Sequence, residues 1–284
     1  MVNVGGDWWV LYGKFKLKSK GVNMDILEKI VLRKRGEVLE RRGLVPMVEL
    51  TRSVYFKEPC FSLRKSLRAA GSTGIIAEFK RKSPSLGWIK EGADVADITS
   101  GYAVAGAAGL SVLTDTHFFG GSSGDLRAAR RVNSIPILRK DFIIDEYQLF
   151  EAKAMGADVV LLIAECLTKE EIKGLSGTAR SLGLEVLMEL HSEMELDKVC
   201  DTVDCVGINN RNLKTFEVNI GASIELSKLI PDRFVKVAES GITNPLTINE
   251  LRTHGFEGFL IGEAFMKTAD PGAALRGFVE LLKK

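Results

Sequence analysis

Ile75-Ile76-Ala77-Glu78-Phe79-Lys80 is the first of a series of short, β-branched apolar runs, each followed by a polar loop and a helical stretch. The others are GLSVLT from Gly109, PILRKDF from Pro136, VVLLIAE from Val159, EVLMEL from Glu185, VGINNR from Val206, VKVAES from Val235 and GFLIGE from Gly258. Their starts stand 34, 27, 23, 26, 21, 29 and 23 residues apart, the span of a strand, a crossover helix and two short turns. Eight such units predict an α/β fold, a single TIM (β/α)8 barrel. An open doubly wound sheet would leave two edges exposed, and no GxGxxG follows the first run.

Upstream, Ile26, Leu27, Ile30, Val31, Val38 and Leu39 recur at helical spacing between residues 24 and 44, and a second helix is expected over residues 61–70. Residues 24–70 therefore read as a helical extension that covers one end of the barrel, and 24–284 as one barrel domain including it. Residues 1–23 read as a tail of unknown role: a start-site extension, an edge strand or an expression remnant.

The chain of 284 residues is 45% hydrophobic and 27% charged, which suits a buried core and excludes a disordered or fibrous protein. Its net charge is +2, and the four lysines and one aspartate before residue 24 leave the body near neutral. That excludes a nucleic-acid footprint. No run approaches a membrane span, so the expected location is the cytoplasm. Four cysteines and three histidines include no CxxC, HxxxH or HExxH, so no metal site is expected and the thiols read as reduced.

Barrel chemistry sits at the C-terminal ends of the strands, so residues late in each run that share a face by alternation are candidates. Glu78 and Lys80 share one face, opposite Ala77 and Phe79. Lys140 points with Leu138 and Phe142, opposite Arg139 and Asp141. Glu189 aligns with Leu187, Asn209 and Arg211 with Gly207, and Ser240 with Ala238. Taken as inward, these faces bring three cations and two anions to one mouth, and that excess of positive charge implies an anionic substrate. Ser240-Gly241 and Gly262-Glu263 end the seventh and eighth runs, where barrels cradle phosphate on backbone N–H groups. RKSPSLGW, with Ser83, reads as a rim loop or lid. His117 and His191 belong to no triad or ligand set and read as supporting or surface imidazoles.

IAEFKRKSPSLG, GLSVLTDTHFFGGSSGDL, PILRKDFIIDEYQLFEA, GADVVLLIAE, GINNRNLKTF, VAESGI and LIGEAFM together resemble the indole-3-glycerol phosphate synthase family from about residue 24 to the C-terminus. The resemblance implies a carboxy-lyase of tryptophan biosynthesis. Its reaction closes the ring of 1-(2-carboxyphenylamino)-1-deoxyribulose 5-phosphate with loss of CO2 and water, without metal or organic cofactor. It implies Lys140 as the general acid on the ribulose carbonyl and Glu189 as the general base. Lys80 either shares the acid role or holds the phosphate, while Glu78 and Asn209 orient sugar hydroxyls and the ammonium groups. Arg211 and Ser83 would contact the anthranilate carboxylate. Ser240, Gly241, Gly262 and the backbone of Glu263 would take the phosphate, and Phe119 and Phe142 would line the aromatic pocket. The implied partner is a small phosphorylated molecule, and the enzyme a monomer or homodimer. A lysine lowered in pKa by neighbouring cations would be a suitable acid. A Schiff-base aldolase using Lys140 or Lys80, and a catalytically silent phospholigand-binding barrel, are the competing readings.

Overall fold

The computed structural model describes residues 25–283 except 213, 214 and 216, together with the backbone of three short strands nearer the N-terminus. Eight parallel strands close into a barrel: β1 (Ile75–Phe79), β2 (Gly109–Leu113), β3 (Ile137–Lys140), β4 (Val159–Ile163), β5 (Glu185–Leu190), β6 (Cys205–Asn209), β7 (Val235–Glu239) and β8 (Phe256–Ile261). They follow chain order, and β8 pairs with β1. Each lies within or beside one of the runs read from the sequence. Alternation divides their side chains. Ile76, Leu138, Leu161, Leu187, Val237 and Leu260 fill the barrel interior, while Ile75, Phe79, Val112, Val160, Val206 and Phe259 pack beneath the surrounding helices.

Those helices are α1 (Ile26–Leu44), α2 (Met47–Leu50), α3 (Leu63–Arg68), α4 (Val95–Val104), α5 (Ser123–Val132), α6 (Glu146–Met155), α7 (Lys169–Ser181), α8 (Ile220–Ser227), α9 (Pro245–Thr253), α10 (Glu263–Met266) and α11 (Pro271–Leu282). Asp94, Ser122, Asp145, Thr168, Asn219, Asn244 and Asp270 cap the outer helices with side-chain oxygens on first-turn N–H groups, which fixes where each loop turns into helix. One unit departs from the expected pattern. Residues 191–204 form the shortest crossover, and in place of an α-helix they make a 3-10 turn (Glu193–Lys198) opened by a Ser192–Glu195 capping box.

The extension closes both ends of the barrel, where the sequence suggested one. Leu63 and Leu67 of α3 enter the interior cluster from the N-terminal side. There the Glu185 carboxylate accepts the Ser62 hydroxyl and, at 3.0 Å, the Arg64 N–H. At the other end, Ile26, Leu27 and Ile30 of α1 overhang the mouth. The buried stripe of α1 is Leu27, Ile30, Lys34 and Val38, so a lysine holds a place that the apolar period would give to a hydrophobe. Lys34 Nζ is ion-paired with Asp115 at 2.8 Å and with Asp141 at 2.9 Å, all three side chains being 1% exposed. Leu39, read as part of the apolar pattern, is exposed.

The N-terminal strands, Val2–Val4, Asp7–Tyr12 and Phe15–Lys18, form an antiparallel meander paired within itself, so they do not extend the barrel sheet as an edge strand. The role left open for residues 1–23 concerns side chains that lie outside the described residues.

Candidate active site

A single cavity at the C-terminal mouth is lined by every residue that the sequence assigned to the site: Glu78, Lys80, Ser83, Phe119, Lys140, Phe142, Glu189, Asn209, Arg211, Ser240, Gly241, Gly262 and Glu263. Register explains the convergence. Asn209 lies level with Glu239 across β6 and β7, and Glu78 level with Ser111 across β1 and β2.

At its floor Lys140 Nζ donates to Glu189 Oε2 at 2.8 Å and to Glu239 Oε2 at 2.7 Å. Asn209 Nδ2 donates to the other Glu189 oxygen at 2.8 Å. Lys80 Nζ pairs with Glu78 Oε1 at 2.9 Å, and the Ser111 hydroxyl donates to Glu78 Oε2 at 3.3 Å. Arg211 stands 3.8 Å from Glu263, whose carboxylate also takes Lys267 at 2.6 Å. Phe119 and Phe142 face one another with ring centroids 6.0 Å apart, giving the mouth an apolar wall continued by Ile26, Leu27 and Ile30.

Glu239 was missed. Alternation groups it with Val235 and Val237, and the sequence reading took the other face, Ala238 and Ser240, as inward. In the fold Ala238 packs under the helices, and Glu239 points into the mouth, 1% exposed. Ser240 reaches the cavity because the chain turns there: its φ is +67°, a left-handed conformation rare for a residue with a side chain. The Asn210 amide holds that turn through the Ser240 carbonyl at 2.8 Å.

Two glycines make room for the carboxylates. A Cβ at Gly207 would collide with Glu239 Oε1, and one at Gly262 would come within 2.8 Å of Glu78 Oε1. Gly262, read as a phosphate-loop residue, is thus also the clearance for Glu78.

The cavity is lined by three cations, Lys80, Lys140 and Arg211, and five carboxylates, Glu78, Asp141, Glu189, Glu239 and Glu263, so the expected excess of positive charge is absent. The expected pKa logic also reverses. Lys140 has anions for neighbours: burial would lower its pKa, but Glu189 and Glu239 outweigh that and hold it well above the usual range as an ammonium ion. Burial would raise Glu189, yet Lys140 first and His191 next hold it well below the carboxylate range. Burial, reinforced by the Glu189 charge, pushes Glu239 up to about 7 against the pull of Lys140.

The rim loop after β1 forms a small hairpin, Lys82–Ser83 against Gly87–Trp88. Its base is tied down by a bidentate Arg81–Asp125 pair at 2.7 and 2.8 Å and by Lys82 Nζ on the His117 carbonyl at 3.1 Å. The ring of His117 is exposed, while His191 lies behind Glu189.

Comparison with known proteins agrees with this geometry. Solved structures similar in fold include a 3-hexulose-6-phosphate synthase (TM-score 0.59, 14% identity, 73% of this chain and 99% of that one). Tryptophan synthase subunit alpha from Legionella pneumophila is a second (TM-score 0.58, 14% identity, 78% and 97%). At such identities they establish the barrel alone. Curated relatives are far closer. The indole-3-glycerol phosphate synthase of Bacteroides thetaiotaomicron is 48% identical over 259 residues, covering 91% of this chain and 99% of its own length. That of Bordetella pertussis is 43% identical over 259 residues, covering 90% and 99%. The family model described as indole-3-glycerol phosphate synthase matches residues 27–278, and with the barrel and its mouth in view, the chain belongs to the indole-3-glycerol phosphate synthase family.

Proposed function

We propose that Lys140 and Glu189 are the acid and base with which this carboxy-lyase closes the indole ring of 1-(2-carboxyphenylamino)-1-deoxyribulose 5-phosphate. The observation that carries the assignment is the Lys140 ammonium held between Glu189 and Glu239 at the floor of the cavity. The substrate's aromatic carbon attacks the ribulose carbonyl carbon as Lys140 delivers a proton to the carbonyl oxygen. The C–CO2 bond then breaks, its electron pair restoring the aromatic ring. Lys80 protonates the departing hydroxyl, and Glu189 takes the proton lost from the adjacent carbon, so that water leaves. Losing CO2 from a carboxylate consumes one proton overall, which solvent returns to the lysines.

The order of these steps follows from the electrostatics. Lys140 is the largest influence holding Glu189 below the carboxylate range. Once Lys140 has given up its proton that influence disappears, and Glu189 becomes a stronger base for the later step. Glu78 and Asn209 fix Lys80 and Glu189. Arg211 and Ser83 hold the anthranilate carboxylate, and the backbone at Ser240-Gly241 and Gly262-Glu263 takes the phosphate. Phe119 and Phe142 flank the ring. A Schiff-base mechanism at Lys140 would need a neutral amine, which two adjacent carboxylates disfavour.

The same reading includes a cytoplasmic enzyme, monomeric or homodimeric, that acts without metal or organic cofactor and engages neither nucleic acid nor membrane. No helix among the described residues is long and apolar enough to cross a membrane.

Steady-state kinetics test the assignment. Lys140→Met and Glu189→Gln should each lower kcat by about 100-fold or more with KM changed far less. Arg211→Ala and Ser240→Ala should mainly raise KM, because they hold charge in ground and transition states alike. Near-normal kcat in both Lys140→Met and Glu189→Gln would show that the acid and base lie elsewhere.

A further inference from the structure

His191 follows Glu189 by two residues, just past the end of β5, and so lies on the same side of the strand. Its Nε2 is 3.1 Å from Glu189 Oε1, yet it is not among the residues lining the substrate cavity. The carboxylate it faces is already held by Lys140 on one oxygen and Asn209 on the other. From behind, His191 Nδ1 is 3.8 Å from Glu165 Oε2, on the exposed turn after β4. Glu195 takes the backbone N–H of His191 at 2.7 Å. Polar atoms of Glu165, His191 and Glu195 fall within 4.8 Å of one another.

The remaining charged and titratable groups around it are few. Burial pushes the Cys166 thiol well above its usual range, so it stays neutral. Lys198 is committed to the carbonyls of Ala164 and Leu167 at 2.8 and 2.9 Å. Asp25, at the start of α1, acts on Cys166, and beyond Glu189 lie Lys140 and Glu239.

We propose that His191 is a positioning residue that sets the base strength of Glu189 by gaining and losing a proton on the side of Glu189 away from the substrate cavity. The proposal rests on Glu189 being the base. As an imidazolium, His191 places a second cation beside Glu189 and weakens it as a base. As a neutral imidazole that keeps its Nε2–H, it preserves the contact and withdraws the charge. The proton leaves from the buried Nδ1 by way of the exposed Glu165 carboxylate, 3.8 Å away, and no bond to substrate is involved. Burial would lower the imidazole pKa, but Glu189, Glu195 and Glu165 outweigh it and hold His191 above its ordinary 6.5. Activity should therefore rise as His191 deprotonates.

Imidazole NMR follows the titration directly, since the chain has three histidines and His191→Gln identifies the signal. The kinetic readout is the ratio of wild-type kcat to His191→Gln kcat across pH, in which the ionisation of Glu239 is common to both enzymes. That ratio should climb about threefold or more through the His191 titration seen by NMR. Glu165→Gln, which touches neither substrate nor Glu189, should move the NMR titration and the kinetic step together to lower pH. If His191→Gln does not fold, this second variant decides alone. A ratio independent of pH, or a kinetic step unmoved in Glu165→Gln, overturns the proposal. Near-normal kcat in Glu189→Gln would instead remove the base assignment on which it rests.

Discussion

Lys34→Met would remove the one cation of α1 that is buried against the barrel mouth. In the native protein its ammonium satisfies Asp115 at 2.8 Å and Asp141 at 2.9 Å, with Glu37 at 2.9 Å on its own helix. Breaking a buried ion pair by deleting one partner costs about 3–5 kcal/mol, because the remaining charge stays buried. Asp141 keeps Arg139 at 3.1 Å and the Thr114 hydroxyl at 2.7 Å, and Asp115 keeps the Phe118 N–H at 2.8 Å. The lower figure, about 3 kcal/mol, is therefore the expected loss, or a fall in Tm of roughly 6–12 °C for a chain of this size.

The loss should also depend on pH. Burial would raise Asp141, but Lys34 and Arg139 hold its carboxyl far below the usual range. A group lowered in the folded state stabilises above its unfolded pKa and loses that contribution as pH falls through the folded one. Without Lys34 the Asp141 carboxyl moves back up. The gap between variant and wild type should thus be widest at neutral pH and narrow as both are acidified into the carboxylate range. Urea denaturation followed by circular dichroism at pH 7 and pH 3, on either side of the ordinary aspartate value of 3.8, measures both. Adding Asp115→Asn, which removes the orphaned charge at constant shape, should recover part of the loss. A gap under about 1 kcal/mol at pH 7, or one indifferent to pH, would refute the view that this lysine anchors α1 electrostatically.

Gly207→Ala should fold normally but push Glu239 off Lys140, lowering kcat about 10- to 100-fold with an unchanged circular dichroism spectrum. Deleting residues 1–23 should leave kcat/KM within about threefold, below roughly 0.7 kcal/mol, because the barrel and its helical extension begin after them, and so does every lining residue of the mouth among the described residues. Burial holds the Cys205 thiol well above its normal range, so mass spectrometry should find it unmodified by iodoacetamide at pH 8 in the native enzyme and modified once the enzyme is unfolded.

The barrel was legible because strands that support it on both sides must be apolar and evenly spaced, and the eight runs meet that demand. The candidate residues were legible to the extent that they stay in phase with the strand. Glu189, Lys140 and Asn209 do, and alternation placed them correctly. Glu239 was hidden because choosing a face requires knowing where the strand ends, and the left-handed turn at Ser240 breaks the alternation one residue later. Gly207 was the available clue, since its missing side chain is the space Glu239 occupies. Lys34 was hidden for another reason: a helical period shows which positions face inward, and cannot show that the surface they meet carries two aspartates. His191, set aside as a supporting or surface imidazole, gained a partner only when the fold put Glu165 behind it.

The extension that closes both ends of the barrel is also the first part of this domain to be synthesised. Arg68 pairs with Glu257, 189 positions further along the chain, at 2.7 Å, and Leu67 packs against Gly258. Neither contact exists until the eighth strand has been made. During translation α1 can already meet Asp115 and Asp141, and Ser62 can meet Glu185, but the edge of α3 at Leu67 and Arg68 must wait unburied until the last strand completes the ring. The last step of docking the extension is thus coupled to ring closure. A chain cut short before β8 would expose that edge of α3 together with the unpaired edges of β1 and β7, making it a natural target for chaperones and proteases rather than a partly working enzyme.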